Sequence, residues 1–122
     1  MKLKRGMILD INLDPTLGSE TGKVRPCIVV TNNIYNELIA VIQVVPLTAW
    51  NEKKALVRTN VEILPTQENG LVKKSIADCL QTRPIDYEKR LVKVRGTIGE
   101  DELKKIDEAL MIVFGIKQVL RN

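Results

Sequence analysis

The sequence predicts a mostly β chain of the α+β class: a small, strongly twisted antiparallel sheet or barrel with one amphipathic helix at its C-terminal end. Three observations carry this. Short alternating or apolar stretches recur from residue 7 to residue 98, each closed by Gly, Pro or a polar cluster. Apolar residues at helical spacing appear only after residue 99. Aromatics make up 3% of a chain that is 44% hydrophobic, so the core has to be aliphatic.

The elements follow in order. In "MILDINLDP", Met7, Leu9, Ile11 and Leu13 alternate with Ile8, Asp10, Asn12 and Asp14, the pattern of a half-buried strand with the second set turned mostly to solvent; Pro15 stops it. "TLGSETGK" is a loop in which Gly18 and Gly22 supply backbone freedom. "RPCIVVTNN" is a short apolar strand, and Pro26, which has no N–H, belongs at its start or on an edge. "LIAVIQVVPLT" is a longer strand with Pro46 at a bulge or an end, and "AWNEKKA" is a polar connection. "LVRTNVEI" alternates again, "LPTQENGL" turns, and "KSIADCLQT" is another strand. "RPIDYEKRL" reads as a turn or a single helical turn, and "VKVRGTI" as the last strand. In "GEDELKKIDEALMIVFG", Leu103, Ile106, Leu110 and Val113 share a helical face, with Phe114 beside them. Glu100, Asp101 and Glu102 suit the first turn, Thr97 and Glu100 offer a capping box in competition with Gly99, and Gly115 is the stop.

The 122 residues suggest one domain, residues 1–122, with no repeat or linker to divide it. A domain of this size buries roughly two thirds of its unfolded surface. A net charge of +4 leans mildly toward anionic partners. Cys27 and Cys79 lie in apolar runs without CxxC spacing, which points to buried free thiols in a reducing cytoplasm and gives no metal-ligand pattern. Asp10 and Asp14 break any signal-peptide core, and "LIAVIQVVPL" is far shorter than the roughly 20 residues of a spanning helix. The expectation is a cytoplasmic protein with no membrane partner.

The chain contains no histidine. That excludes a histidine acid–base pair, a Ser-His-Asp triad and histidine metal ligands. No phosphate-cradling glycine motif occurs either. What remains is Arg, Glu, Asp, Thr, Ser and backbone, a kit that suffices for phosphate chemistry, because an arginine fork matches phosphate oxygens and stays charged.

Against that background, "RGMILDINLDPTLGSETGKVRPCIVVTNN" resembles the opening of the MazF/PemK family of toxin ribonucleases. The likeness continues through "VVPLT", "VEI", "GLVKKS", "LQTRPID" and "IDEAL", and the combination of G-S-E, R-P and Q-x-R-x-I-D makes it specific. The resemblance implies a homodimeric SH3-like barrel with a C-terminal helix. It implies a sequence-specific, metal-independent endoribonuclease that needs no cofactor, cuts single-stranded RNA and arrests translation. It also implies restraint by an acidic, MazE-like antitoxin, with operator DNA bound only through the toxin–antitoxin complex. By the same resemblance Arg25 and Thr48 are catalytic, and Glu20 matches a carboxylate that is catalytic in some members. Ser19 and Gly22 match loop positions that approach RNA, and Gln81 and Arg83 match positions near the RNA groove. Pro84 and Asp78 depart from the family pattern, the first by removing a hydroxyl and a backbone donor, the second by placing a carboxylate on a strand.

The implied reaction is attack of a ribose 2′-OH on the adjacent phosphate, giving a 2′,3′-cyclic phosphate and a 5′-OH. Arg25 would stabilise the building charge, Thr48 would add a hydrogen bond, and Glu20 is the candidate base, since arginine stays protonated. Trp50 is the only tryptophan and a candidate platform for a base, or else part of a core edge or dimer interface. Lys2, Lys4, Arg5, Lys53, Lys54, Arg58, Lys73 and Lys74 are either groove cations or ordinary solvated charges. Each site residue also has a purely local alternative. Arg25 would pair with Asp14 or Glu20 to hold a loop, Thr48 would bond to nearby backbone, and the glycines would only turn the chain. The rival functions are a non-cleaving RNA- or protein-binding module, a gyrase-type interaction toxin, and an inactive relative.

Overall fold

The computed structural model describes residues 2–117, so the two ends of the predicted 1–122 domain fall outside the described residues. Seven strands form one antiparallel sheet: β1 (Met7–Asn12), β2 (Val24–Val29), β3 (Val41–Ala49), β4 (Asn60–Ile63), β5 (Ser75–Asp78), β6 (Arg83–Asp86) and β7 (Leu91–Thr97). The order is β4-β5-β3-β2-β1-β7, with β6 paired to β3. The mostly β class and the C-terminal helix are as predicted. The ladder does not close on itself, because β6 and β7 each pair on one side only.

The sheet has apolar residues on both faces, which corrects the reading of β1. Leu9, Ile11 and Leu13 join Cys27, Val29, Ile42, Val44 and Ile85 on one face. Ile8, expected to face solvent, is fully buried with Ile28, Val45 and Leu47 on the other. Asp10 is buried too, because Arg95 on β7 donates to it from Nε at 2.7 Å. A strand covered on both sides does not show clean alternation.

Helix α4 (Glu100–Phe114) covers the Ile8 face. Ile106 and Ala109 are buried there, with Leu103, Leu110 and Val113 packed around them. Gly99 caps the helix without a side-chain bond; the Thr97–Glu100 box does not form, since Thr97 still belongs to β7 and gives its N–H to Glu68 O. Gly115 ends it at φ +66°, a left-handed conformation that glycine adopts without a Cβ penalty. Arg5 ties the helix to the start of the chain by pairing with Asp107. Among the described residues no helix is long and apolar enough to cross a membrane.

Short helical turns replace several predicted strand and loop residues. Before β3, α1 (Asn33–Asn36) is capped by the Asn32 side chain, so the long strand starts at Val41 rather than Leu38. The polar connection holds α2 (Glu52–Ala55), capped by Asn51. The strand predicted for "KSIADCLQT" stops at Asp78 and passes into a 3-10 helix, Cys79–Gln81. "RPIDYEKRL" divides into β6 and α3 (Tyr87–Arg90), with Asp86 accepting from the Glu88 and Lys89 N–H groups at the junction.

One detail of the sheet positions the site. β3 pairs with β6 along its first half and with β5 over Leu47–Ala49. On its other side it pairs with β2 only as far as Cys27↔Pro46. Pro26 follows that last pair on β2; its backbone nitrogen faces β3, as the Val30 N–H does in bonding to Gln43 O, and it has no hydrogen with which to extend the ladder. Pro26, expected at the start of its strand or on an edge, is the third residue of an interior strand, and it is tolerated there because the β3 ladder has already ended beside it. The two strands fork at this point.

Candidate active site

Arg25 and Thr48 stand in the fork. Each lies two residues beyond the last pair, Cys27↔Pro46, one on either arm. By alternation along their strands, Arg25 shares the face of Cys27 and Val29, and Thr48 that of Ile42 and Val44, which is the same face of the sheet. Arg25 is also the partner of Ile11 on β1, so it lies on the Leu9–Ile11 face of the sheet. Arg83, opposite Val44 on β3, points to the same face. Both guanidinium charges reach the Cys27 thiol buried below them.

The local alternative for Arg25, an ion pair with Asp14 or Glu20, does not form among the described residues. Four ion pairs occur among the described residues, Lys2–Glu37, Arg5–Asp107, Lys74–Glu62 and Arg95–Asp10, and Arg25 is in none of them. Its Nε donates to the Gly22 carbonyl at 3.1 Å. That leaves the two terminal nitrogens of the fork for a ligand. Thr48 likewise spends nothing on its own backbone. The hydroxyls of Thr31 and Thr82 donate to Gln43 O and Val44 O, whereas the Thr48 hydroxyl has no partner among the described residues.

The loop between β1 and β2 is folded on itself and pinned from outside. Leu13 N–H bonds to Lys23 O at its base. The Glu20 carboxylate accepts the Leu17 N–H at 2.7 Å and so closes a turn within the loop, away from any arginine partner. A Cβ on Gly22 would come within 2.6 Å of Asp14 Oδ1 and Thr16 Oγ1, so any larger residue there has to displace those two side chains. The Lys23 backbone N–H beside Asp14 holds that carboxyl below its ordinary value. Arg83 donates to Leu13 O, and Arg90 to Asn12 O and Asp14 O. Gln81 grips the loop apex, accepting from Thr21 N–H and donating to Ser19 O, both at 3.2 Å. An open cleft of about 360 Å³ runs between this apex and the Leu80–Pro84 segment; Glu20, Gln81 and Arg83 are among its walls, Arg25 and Thr48 are not.

Ser19, Glu20, Gly22, Arg25, Gln81 and Arg83 are thus joined through one loop and its anchors, with Thr48 across the fork. Trp50 stands apart from that network. Lys74 Nζ lies 3.9 Å from its ring centroid, so one face is occupied. Its Nε1 is buried and unpartnered. Of the candidate groove cations, Lys2, Arg5 and Lys74 are held by carboxylates. Arg90 was not anticipated as an anchor, and nothing in its local sequence signals it. Asp78 ends β5 half-buried; burial pushes its carboxyl up, while the Gln81 and Leu80 amides and Lys54 oppose the shift. No three His, Cys, Asp or Glu side chains gather as metal ligands among the described residues.

Both cysteines are free and buried. Burial is the main cause that pushes each thiol up to about 12. Neither is expected to react with iodoacetamide at pH 8 while the protein is folded, and both should react in denaturant; mass spectrometry of the alkylated protein checks this.

Comparison with known proteins places this geometry in a lineage. Residues 4–114 match the family described as PemK-like, MazF-like toxin of type II toxin–antitoxin system. Endoribonuclease EndoA of Bacillus subtilis (strain 168) is 35% identical over 112 residues, covering 92% of this chain and 94% of that protein. MazF from Deinococcus radiodurans superposes with a TM-score of 0.79 at 22% identity, over 94% of this chain and 98% of that one. An endoribonuclease in complex with its cognate antitoxin from mycobacterial species gives a TM-score of 0.73 at 20% identity, over 94% of this chain and 97% of that one. The last two likenesses establish the fold, and the family match with the EndoA identity establishes descent: the chain belongs to the PemK-like, MazF-like toxins of type II toxin–antitoxin systems.

Proposed function

We propose that this toxin is an endoribonuclease that cuts single-stranded RNA at a short sequence, by attack of the ribose 2′-OH on the adjacent phosphate and without a metal ion. The observation that carries the reading is the fork: one arm bears an arginine whose two terminal nitrogens, and the other a threonine whose hydroxyl, have no partner among the described residues. A phosphodiester placed between them gains a bidentate charge-assisted contact and one further hydrogen bond. As the pentacoordinate phosphate forms, Arg25 neutralises its growing charge, a contribution of about 3–4 kcal/mol. Glu20 keeps one carboxylate oxygen clear of the Leu17 N–H and takes the 2′-OH proton. As the P–O2′ bond forms the P–O5′ bond breaks, the departing oxygen takes up a proton from water, and the products are a 2′,3′-cyclic phosphate and a 5′-OH; DNA, lacking the 2′-OH, is not cut.

Ser19, Gly22, Gln81 and Arg83 line the path of the RNA, and Trp50 offers a base a stacking platform beyond it. An acidic antitoxin segment competes for the same cationic groove, and operator DNA is met only through that complex. The protein acts in the cytoplasm as a homodimer. Leu56 is 86% exposed, Leu80 66% and Phe114 62%, large apolar side chains that a second copy would cover.

The test is cleavage of a long single-stranded RNA in EDTA with product ends mapped. Cutting at one short motif with 5′-OH ends is expected. Thr48→Val should lower kcat about tenfold, the worth of one hydrogen bond strengthened in the transition state, and Thr48→Ser should restore most of it. Bound but uncut RNA would replace the nuclease reading with that of a binding module.

A further inference from the structure

The loop between β1 and β2 is fastened at its base by Leu13–Lys23, Arg83 and Arg90. Its apex is fastened differently. Among the described residues, the only hydrogen bonds from Ser19–Thr21 to the rest of the fold are the two made by the Gln81 carboxamide. They bracket Glu20 from either side, and they span 60 and 62 positions of sequence. One residue further on, the Gly22 carbonyl receives the Arg25 Nε–H.

Gln81 itself is rigidly mounted. It ends the 3-10 helix whose first residue, Cys79, is buried in the core and bonded through its N–H to Thr59 O. The next residue, Thr82, donates to Val44 O and accepts from Gln43 Nε2. An anchored amide therefore holds an otherwise exposed loop, and that loop aims the guanidinium.

Resting on the nuclease reading above, we propose that Gln81 is a positioning residue: it latches the loop apex so that Gly22 O orients Arg25, in the protein before any RNA arrives. This differs from a direct base contact, which would act only once RNA is bound. Each end of the carboxamide has one hydrogen-bonding position left, so RNA need not break the latch to enter.

The test pairs an RNA-free readout with kinetics. Gln81→Met keeps the side-chain length and removes both bonds. In the RNA-free protein the Thr21 amide should exchange with solvent about tenfold faster by NMR, and amides of β2 and α4 should not change. At saturating RNA, kcat should fall about tenfold for every RNA sequence tested, because the disordered group is Arg25. Gln81→Glu keeps the acceptor for Thr21 N–H, so in that variant the Thr21 amide should stay protected. Unchanged Thr21 exchange in Gln81→Met overturns the latch. Faster exchange with kcat intact, and a loss confined to KM or to one base, overturns the positioning role in favour of base contact. Failure of the nuclease reading would be seen separately, as wild-type protein that does not cut.

Discussion

Arg25→Ala is expected to lower kcat for RNA cleavage by about 10²–10³-fold while leaving the fold in place. The size follows from removing a preorganised charged donor from a site where negative charge develops. Arg25→Lys should recover only part of the loss, because an ammonium keeps the charge but not the planar fork. Stability should drop by about 1 kcal/mol, since within the protein Arg25 gives up one hydrogen bond, to Gly22 O, and no ion pair. Steady-state cleavage with denaturant titration of the same samples measures both. A variant that loses several kcal/mol of stability along with its activity would make Arg25 a structural residue.

The largest stability effect is expected at Arg95–Asp10. These side chains are 22% and 10% exposed. Arg95 also donates to Gly70 O, and so holds the loop that follows β4 against β7. The crossing there is tight: a Cβ at Gly96 would overlap the Glu68 carbonyl. Arg95→Met leaves the Asp10 carboxylate buried without its partner, and a cost of about 3–5 kcal/mol is expected. Asp10→Leu alone should cost a similar amount. The double variant should recover much of the loss, because no charge is then stranded. Urea midpoints for the four proteins give the coupling, and single variants that cost under about 1 kcal/mol each would show that water reaches the pair.

These two residues mark how far the sequence could be read. The run of strands and the final helix were legible, because turn residues separate short apolar stretches and only one segment has helical spacing. Asp10 was misread as a solvated residue because its partner lies 85 positions away. β6 was read as a turn because it is short and contains Pro84; its pairing comes entirely from β3. The short helices at Asn33 and Glu52 each depend on one capping side chain, too local a signal to outweigh the patterns around them, whereas the helical turn at Tyr87 is one of the two forms its segment suggests. Arg25, Thr48 and the loop were found through family resemblance to their motifs. How the loop is held was not, since contacts from Gln81, Arg83 and Arg90 join residues 60 to 78 positions apart.

The fork between β2 and β3 is written into the backbone: where the ladder would continue, Pro26 has no hydrogen to offer β3. Side-chain changes at Leu17, Ser19 or Thr21 leave that parting of the strands untouched, although the loop that carries them also carries Glu20 and the Gly22 carbonyl that accepts from Arg25. Restoring a donor at Pro26 would act on the parting itself, offering β3 the missing bond and drawing the two arms together.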